Sequence, residues 1–181
     1  MRLSISGPIG SGKTTVCQLL SERLGWKMVV SGHIFRQMAK ERALTLAQFG
    51  ALAENTPSID RELDQRMVDL ARAEDDIIIE GRLAAYNLDR AGVEAFKVLL
   101  DADLEVRAAR VAEREAEDLK QAAAEMLERQ KSEALRYKKY YDIDISDDSV
   151  YDMVVDTSDL TPEQIVDLIV TELKEGKPCP C

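Results

Sequence analysis

The sequence predicts an α/β fold, with five parallel strands covered by helices on both faces. Three observations predict it. A short alternating stretch, Arg2-Leu3-Ser4-Ile5-Ser6, enters the glycine-rich segment GPIGSGKTT and then apolar residues at helical spacing, Val16, Leu19, Leu20 and Leu24. Residues 76–80 (DIIIE) form a continuous apolar run, the pattern of a strand buried on both faces. Strand and helix patterns alternate to the end of the chain, and right-handed crossovers then give a parallel sheet.

The first segment sets the chemistry. Gly7, Gly12, Lys13 and Thr14 match G-x-x-x-x-G-K-[ST] in full, between a strand and a helix as a phosphate-binding P-loop requires. The glycines let successive N–H groups turn inward on phosphate oxygens, and the following helix adds the positive end of its dipole. Lys13 has the reach for β- and γ-phosphates, and the Thr14 hydroxyl is placed for Mg²⁺. Residues 7–15 therefore predict a nucleoside triphosphate site.

Further along, residues 26–30 (WKMVV) read as a second strand. Ser31-Gly32-His33-Ile34-Phe35-Arg36 opens a helix running towards Arg42, with Ser31 expected as its N-cap. Arg36 then lies near the strand's carboxyl end, the edge where open α/β sheets bind ligands. His33 reads as a helix-start residue. Helices are expected over 46–55 and 58–74, separated by Pro57. In the second, Ile59, Leu63, Met67 and Leu70 share one side. Asp60, Arg61, Asp64 and Arg66 occupy other faces, either solvated or facing a substrate.

The strand at 76–80 stops at Glu80-Gly81-Arg82. Arg82 is placed to meet a phosphate and Glu80 to orient a metal-bound water; the alternative for Arg82 is a surface salt bridge. Residues 96–100 (FKVLL) are the next strand. A helix over 104–115 carries Arg107, Arg110 and Arg114 on one face, and a helix over 119–141 carries Arg129 and Arg136 on one face. Such rows suit polyphosphate. The competing reading is helix salt bridges, because Glu125 and Glu133 each sit four residues from Arg129. Residues 153–155 form the last strand, and Thr161-Pro162 starts a final helix with proline at N1.

The 181 residues suit one domain, and the 45% hydrophobic share suits a soluble globule. A net charge of −10 argues against broad binding to nucleic acid or anionic membrane. No apolar run approaches membrane-spanning length, and Met1-Arg2 leads straight into a strand, so a cytoplasmic protein is expected. Cys17 is expected against the core. Cys179 and Cys181 read as a frayed tail, with a metal or intersubunit role as the alternative. A switch GTPase would need N-K-x-D, which does not occur. What remains is a small kinase acting by positioning and charge neutralisation.

The motifs GPIGSGKTT, SGHIFR, IDRELDQR, IIIEGRLA, the R-x-x-R-x-x-x-R series, ERQKSEALRYKKYYDID and SVYDMVVDTS occur in that order. In these the chain resembles nucleoside monophosphate kinases, and most closely the archaeal-type cytidylate (CMP) kinases, over nearly its whole length. The resemblance implies an adenylate-kinase-like P-loop fold in three layers with strand order 2-3-1-4-5. It implies a single domain with an acceptor-binding excursion at about 31–75 and a lid at about 110–136. Gly7, Pro8, Ile9, Gly10, Ser11, Gly12, Lys13, Thr14 and Thr15 would hold ATP, with Mg²⁺ on Thr14. Arg36 and Arg82, with Ser31, Gly32 and Gly81, would bind the acceptor. Arg110, Arg114, Arg129 and Arg136 would serve the transferring phosphoryl group.

One departure stands out. Bacterial cytidylate kinases carry an aspartate after this G-R and a longer insert, whereas Leu83 follows Arg82 here. Their cytosine-reading residues therefore do not transfer, and Asp60, Asp64 and Arg66 are candidates by position. The expected reaction is phosphorylation of CMP or dCMP by ATP, in a monomer. The alternatives are another acceptor (AMP, UMP or a metabolite hydroxyl) and a non-catalytic nucleotide-binding regulator.

Overall fold

Five parallel strands build the sheet: β1 (Arg2–Ser6), β2 (Lys27–Val30), β3 (Ile77–Glu80), β4 (Phe96–Asp101) and β5 (Met153–Asp156). The computed structural model describes residues 1–116 and 118–175. The strands lie in the order β2-β3-β1-β4-β5, as the resemblance implies. β1 and β3 lie inside the sheet, and their apolar residues Leu3, Ile5, Ile77, Ile78 and Ile79 are sealed from solvent. Register runs from Arg2↔Ile77 to Ile5↔Glu80 on one side of β1 and from Leu3↔Phe96 to Ser6↔Leu99 on the other. The carboxyl ends of β1, β3 and β4 thus reach one edge together, and the loops leaving them share a crevice.

Helices cover both faces. α1 (Lys13–Leu24) begins after Gly12 and ends at Gly25, both in the left-handed region open to glycine. α8 (Pro162–Glu175) starts at Thr161, which exchanges hydrogen bonds with Gln164 in a capping box. Together they bury Val16, Cys17, Leu20, Ile165 and Ile169 against Leu3, Ile5 and Leu100. On the other face, α4 (Pro57–Ala73) and α5 (Ala84–Arg90) press Met67, Val68, Ala71 and Leu88 onto Ile77 and Ile79.

Two helix groups stand over the crevice. α2 (Ser31–Glu41) and α3 (Leu46–Glu54) pack with α4 around Met38, Phe49, Ala53 and Ile59. α6 (Leu104–Glu115) and α7 (Leu119–Tyr141) pack together through Ala108, Val111, Ala112, Ala122 and Met126. Asp118 caps α7 by accepting from the backbone N–H groups of Lys120 and Gln121.

Two expectations need correction. The chain carries a helix, α5, that the sequence reading left out. Its seven residues carry no side-chain cap, so no start signal marks it. Ser31 is not an N-cap: Val30 occupies that position with extended backbone, and Ser31 is the first helical residue. The Cys179 and Cys181 tail lies outside the described residues.

Leu20 packs at the centre of the α1–α8 face with no exposure. Leu20→Ala is expected to cost about 2–5 kcal/mol of stability. Urea denaturation followed by circular dichroism measures it; an unchanged midpoint would contradict this packing.

Candidate active site

β1 delivers the chain into the P-loop, and two close approaches fix the loop's path. A Cβ on Gly7 (φ 152°) would lie 2.1 Å from the Leu100 carbonyl oxygen. A Cβ on Gly10 (φ 83°) would lie 2.6 Å from the Arg107 carbonyl oxygen. The loop is therefore pressed between the end of β4 and the first turns of α6, and only glycine fits at either point. Lys13 folds back over it, donating from Nζ to the Pro8 carbonyl at 2.8 Å. Burial lowers the Lys13 ammonium to about 8, with Glu80 opposing that shift and Arg82 adding to it. Thr14 Oγ1 donates to Glu80 Oε2 at 3.0 Å, across the crevice between α1 and β3. Thr15 is exposed on the first turn of α1, and Ser11 is buried.

The arginine row of α6 does not form one anion-facing line. Arg107 is buried, donating to the carbonyls of Ala102 at 2.9 Å and Ile9 at 3.2 Å. Arg110 donates to Thr157 Oγ1 at 3.0 Å and to the Thr157 carbonyl at 2.6 Å, with Gly10 O at 3.5 Å. These two hold the back of the P-loop. Arg114, a turn further on, is exposed beside Glu115. The shared face is real, but its first half packs onto the loop and only its end reaches solvent.

α7 places its charges on the crevice. Glu133 is buried and meets Arg82 Nε at 3.2 Å and Arg129 Nε at 3.3 Å. Of the two glutamates flanking Arg129, Glu133 takes it, as the salt-bridge reading expects. Arg136 Nη1 pairs with Asp60 Oδ2 of α4 at 3.1 Å. Arg82, Arg129, Arg136, Glu133, Ser31 and Gly32 line one cleft of about 560 Å³ between α2, α3, α4 and α7. Arg82 Nε faces only the Glu133 carboxylate there, and Arg136 Nε is buried without a hydrogen-bond partner. Two arginines gathered on one cleft, one of them with a buried N–H still unpaired, suit an anion.

Other candidates fall elsewhere. Arg36 is exposed and lines a separate groove with His33, Gln37 and Lys40. Its guanidinium curls back over Gly32, where a Cβ would lie 3.8 Å from Nη1, so its tip stands at the cleft's rim. Arg66 lines neither this cleft nor the cavity at Asp64. It sits in a surface cluster with Glu41 and Glu62, because two residues past Asp64 the helix has turned it to another side. Asp64 itself lines a smaller cavity of about 70 Å³, together with Ser31, Asp60, Gly81, Arg82 and Asn87. Gly81 lies close under Ser31; a Cβ there would stand 3.2 Å from its Oγ.

Three residues here escaped the sequence reading. Glu133 was weighed only as a helix partner of Arg129, and its contact with Arg82 joins residues 51 positions apart. Asn87 and Tyr141 also line the Asp64 cavity. Asn87 sits on α5; the apolar pair Ala84 and Leu88, followed by Gly92 at φ 63°, was the signal for that helix.

With this geometry in view, the comparisons are direct. Residues 2–159 match the cytidylate kinase-like family. A protein from Natronomonas pharaonis named cytidylate kinase is 47% identical over 91% of this chain and 85% of its own length. A cytidylate kinase from Methanococcoides burtonii is 46% identical over 93% of this chain and 94% of its own. Among solved structures, an uncharacterized protein from Eubacterium ventriosum aligns with a TM-score of 0.71 at 20% identity, covering 96% of this chain and 98% of that one. Shikimate kinase from Acinetobacter baumannii aligns at 0.62 with 17% identity, covering 97% and 94%, a likeness of fold. The motif order, the family match across most of the chain and the relatives at 47% and 46% agree: this chain belongs to the cytidylate kinase-like family.

Proposed function

We propose that this chain transfers the γ-phosphoryl group of ATP to the phosphate of CMP or dCMP, giving ADP and CDP or dCDP. The observation that carries the reading is the pair of half-buried arginines, Arg82 and Arg136, each held to a carboxylate whose place a phosphate can take, in a cleft whose Arg82 also acts electrostatically on Lys13. Relatives named cytidylate kinase support the choice of acceptor.

Donor ATP lies along residues 7–15, its phosphates on the P-loop N–H groups and its β- and γ-oxygens on Lys13. Arg82 holds the acceptor phosphate, with Ser31, Gly32 and Gly81 around it. Arg36 turns in from the rim as the cleft closes. An acceptor phosphate oxygen is already ionised, so it attacks the γ-phosphorus without a general base, and the bridging oxygen leaves with ADP. Arg114, Arg129 and Arg136 neutralise the transferring group, while Arg110 acts through the loop it braces. Residues 31–75 form the acceptor-binding excursion and residues 110–136 the lid of a single domain, whose closure excludes water.

Thr14 Oγ1 and the Glu80 carboxylate, two hard oxygens 3.0 Å apart beside the P-loop, fit Mg²⁺ and would hold it. The ion would supply charge neutralisation at the phosphates. ATP and CMP are then the partners of a cytoplasmic monomer. The net charge of −10 supports the absence of nucleic-acid or membrane partners.

A coupled ADP-release assay with ATP and Mg²⁺ tests this against CMP, dCMP, UMP, AMP, GMP, shikimate and no acceptor. Turnover confined to CMP and dCMP is expected. Preference for AMP would overturn the substrate, and acceptor-independent behaviour would overturn the reaction. Lys13→Ala is expected to lower kcat by roughly 10²–10³-fold with its melting curve unchanged.

The lysine also sets a pH dependence. Bound phosphates favour charged Lys13, whose free-enzyme value is about 8. Below that pH the proton is already in place; above it, binding must take one up. ATP affinity is therefore expected to fall by up to about tenfold per pH unit above 8. Titration calorimetry at pH 7 and 9 reads it. Equal affinities at the two pH values would contradict the assignment, and Lys13→Ala should remove the dependence.

A further inference from the structure

Thr157 directly follows β5 and is fully buried, and each of its polar groups is spent inside the protein. Its backbone N–H donates to the Asp101 carbonyl, at the end of β4, at 2.8 Å. Its carbonyl accepts from Arg110 Nη2 at 2.6 Å, and its hydroxyl accepts from Arg110 Nη1 at 3.0 Å. A hydroxyl carries one hydrogen, and this one goes to the Ser11 carbonyl of the P-loop at 3.3 Å. The next residue is tied down as well: Ser158 Oγ accepts from the Asp103 backbone N–H at 3.0 Å. The Thr157 hydroxyl thus reaches the loop from a backbone that the β4–α6 turn holds at two points.

Resting on the reading of residues 7–15 as the ATP phosphate site, we propose that Thr157 is a positioning residue for phosphate binding. A trans peptide is planar, so its carbonyl and its N–H point opposite ways. Holding the Ser11 carbonyl outward aims the Gly12 N–H inward, at the phosphates. Arg107 does the same for the Gly10 N–H by taking the Ile9 carbonyl at 3.2 Å. Arg110 reaches the Gly10 carbonyl only at 3.5 Å, so Thr157 is the firmer hold on the end of the loop. Gly12 cannot fix this peptide itself. Its φ is 88°, and nothing lies within 4 Å of where a Cβ would stand, so the glycine leaves the plane free to turn. Thr157 removes that freedom from outside the loop. Lys13 and Thr14 follow at once, so the same bond sets where their side chains start. Without the hydroxyl, a Ser11 carbonyl and an Arg110 N–H would both lose a buried partner. Thr157 touches none of the reacting atoms; it acts through Ser11 and Arg110.

The test sets Thr157→Val, which removes the hydroxyl at nearly constant shape, against Thr157→Ser, which keeps it. KM for ATP, KM for CMP and kcat are read for each, with melting curves and with calorimetry of ATP binding in Mg²⁺. Thr157→Val is expected to weaken ATP, in KM and in Kd, by about tenfold while CMP KM stays unchanged. Thr157→Ser is expected to match the wild type in both. If Thr157→Val does not fold, Thr157→Ala against Thr157→Ser decides, because those two differ by the hydroxyl alone. A folded hydroxyl-free variant with wild-type ATP affinity would overturn the proposal. So would one whose ATP and CMP KM rise together, the mark of general loosening, or a serine variant as weak as the valine one, which would place the effect in methyl packing. If the wild type turned over no CMP, the kinase reading would fall by itself. ATP calorimetry would then decide Thr157 alone: weaker binding in Thr157→Val than in Thr157→Ser upholds it, and equal binding overturns it. A wild type that bound no ATP would overturn both.

Discussion

The close contact of the P-loop with β4 and α6 is the constraint on which the site depends. Gly7 lies against the Leu100 carbonyl and Gly10 against the Arg107 backbone, with no room for a side chain at either. Arg107 and Arg110 then spend their donors on carbonyls around that loop. A loop that must present N–H groups to a polyphosphate has to turn its carbonyls outward, and buried outward carbonyls need donors behind them. The two arginines provide these. Lys13 and Thr14 start from positions fixed by this arrangement rather than by their own conformational choices.

A second layer of charge surrounds it. Arg82 meets Glu133, and Arg136 meets Asp60, each pair joining α7 to another part of the crevice. Both contacts are partly or wholly buried, where removing one partner is costly and exchanging it is not. A phosphate can replace a carboxylate at an arginine with little net penalty, because the guanidinium remains paired throughout. The cationic cleft is thereby kept intact without its ligand, in a chain whose overall charge is strongly negative.

Much of this was legible in the sequence, for identifiable reasons. Strand β1 announces itself by alternation and β3 as an apolar run, and α6 and α7 by periodicity and length. Lys13 and Thr14 follow from a motif whose spacing is the geometry. Arg82 was visible because a glycine and an arginine end a buried strand. The rest depended on rotations and partners that spacing alone does not carry. Arg107 and Arg110 share a face with Arg114, yet only tertiary packing shows that this face meets the loop. Arg66 looked equivalent to Asp64 until the helix phase separated them. α5, short and uncapped, gave no start signal, so Asn87 stayed hidden with it.

Cys17 lies wholly buried on α1, one turn beyond Lys13, and burial pushes its thiol well above the ordinary range. A thiol of that kind is inert while the core is closed. It becomes reactive only when α1 lifts from the sheet beneath the nucleotide loop. With Cys179 and Cys181 replaced, the rate at which a thiol reagent labels the chain is a clock for that opening. The protein carries its own probe of how firmly a bound nucleotide clamps the floor of its site.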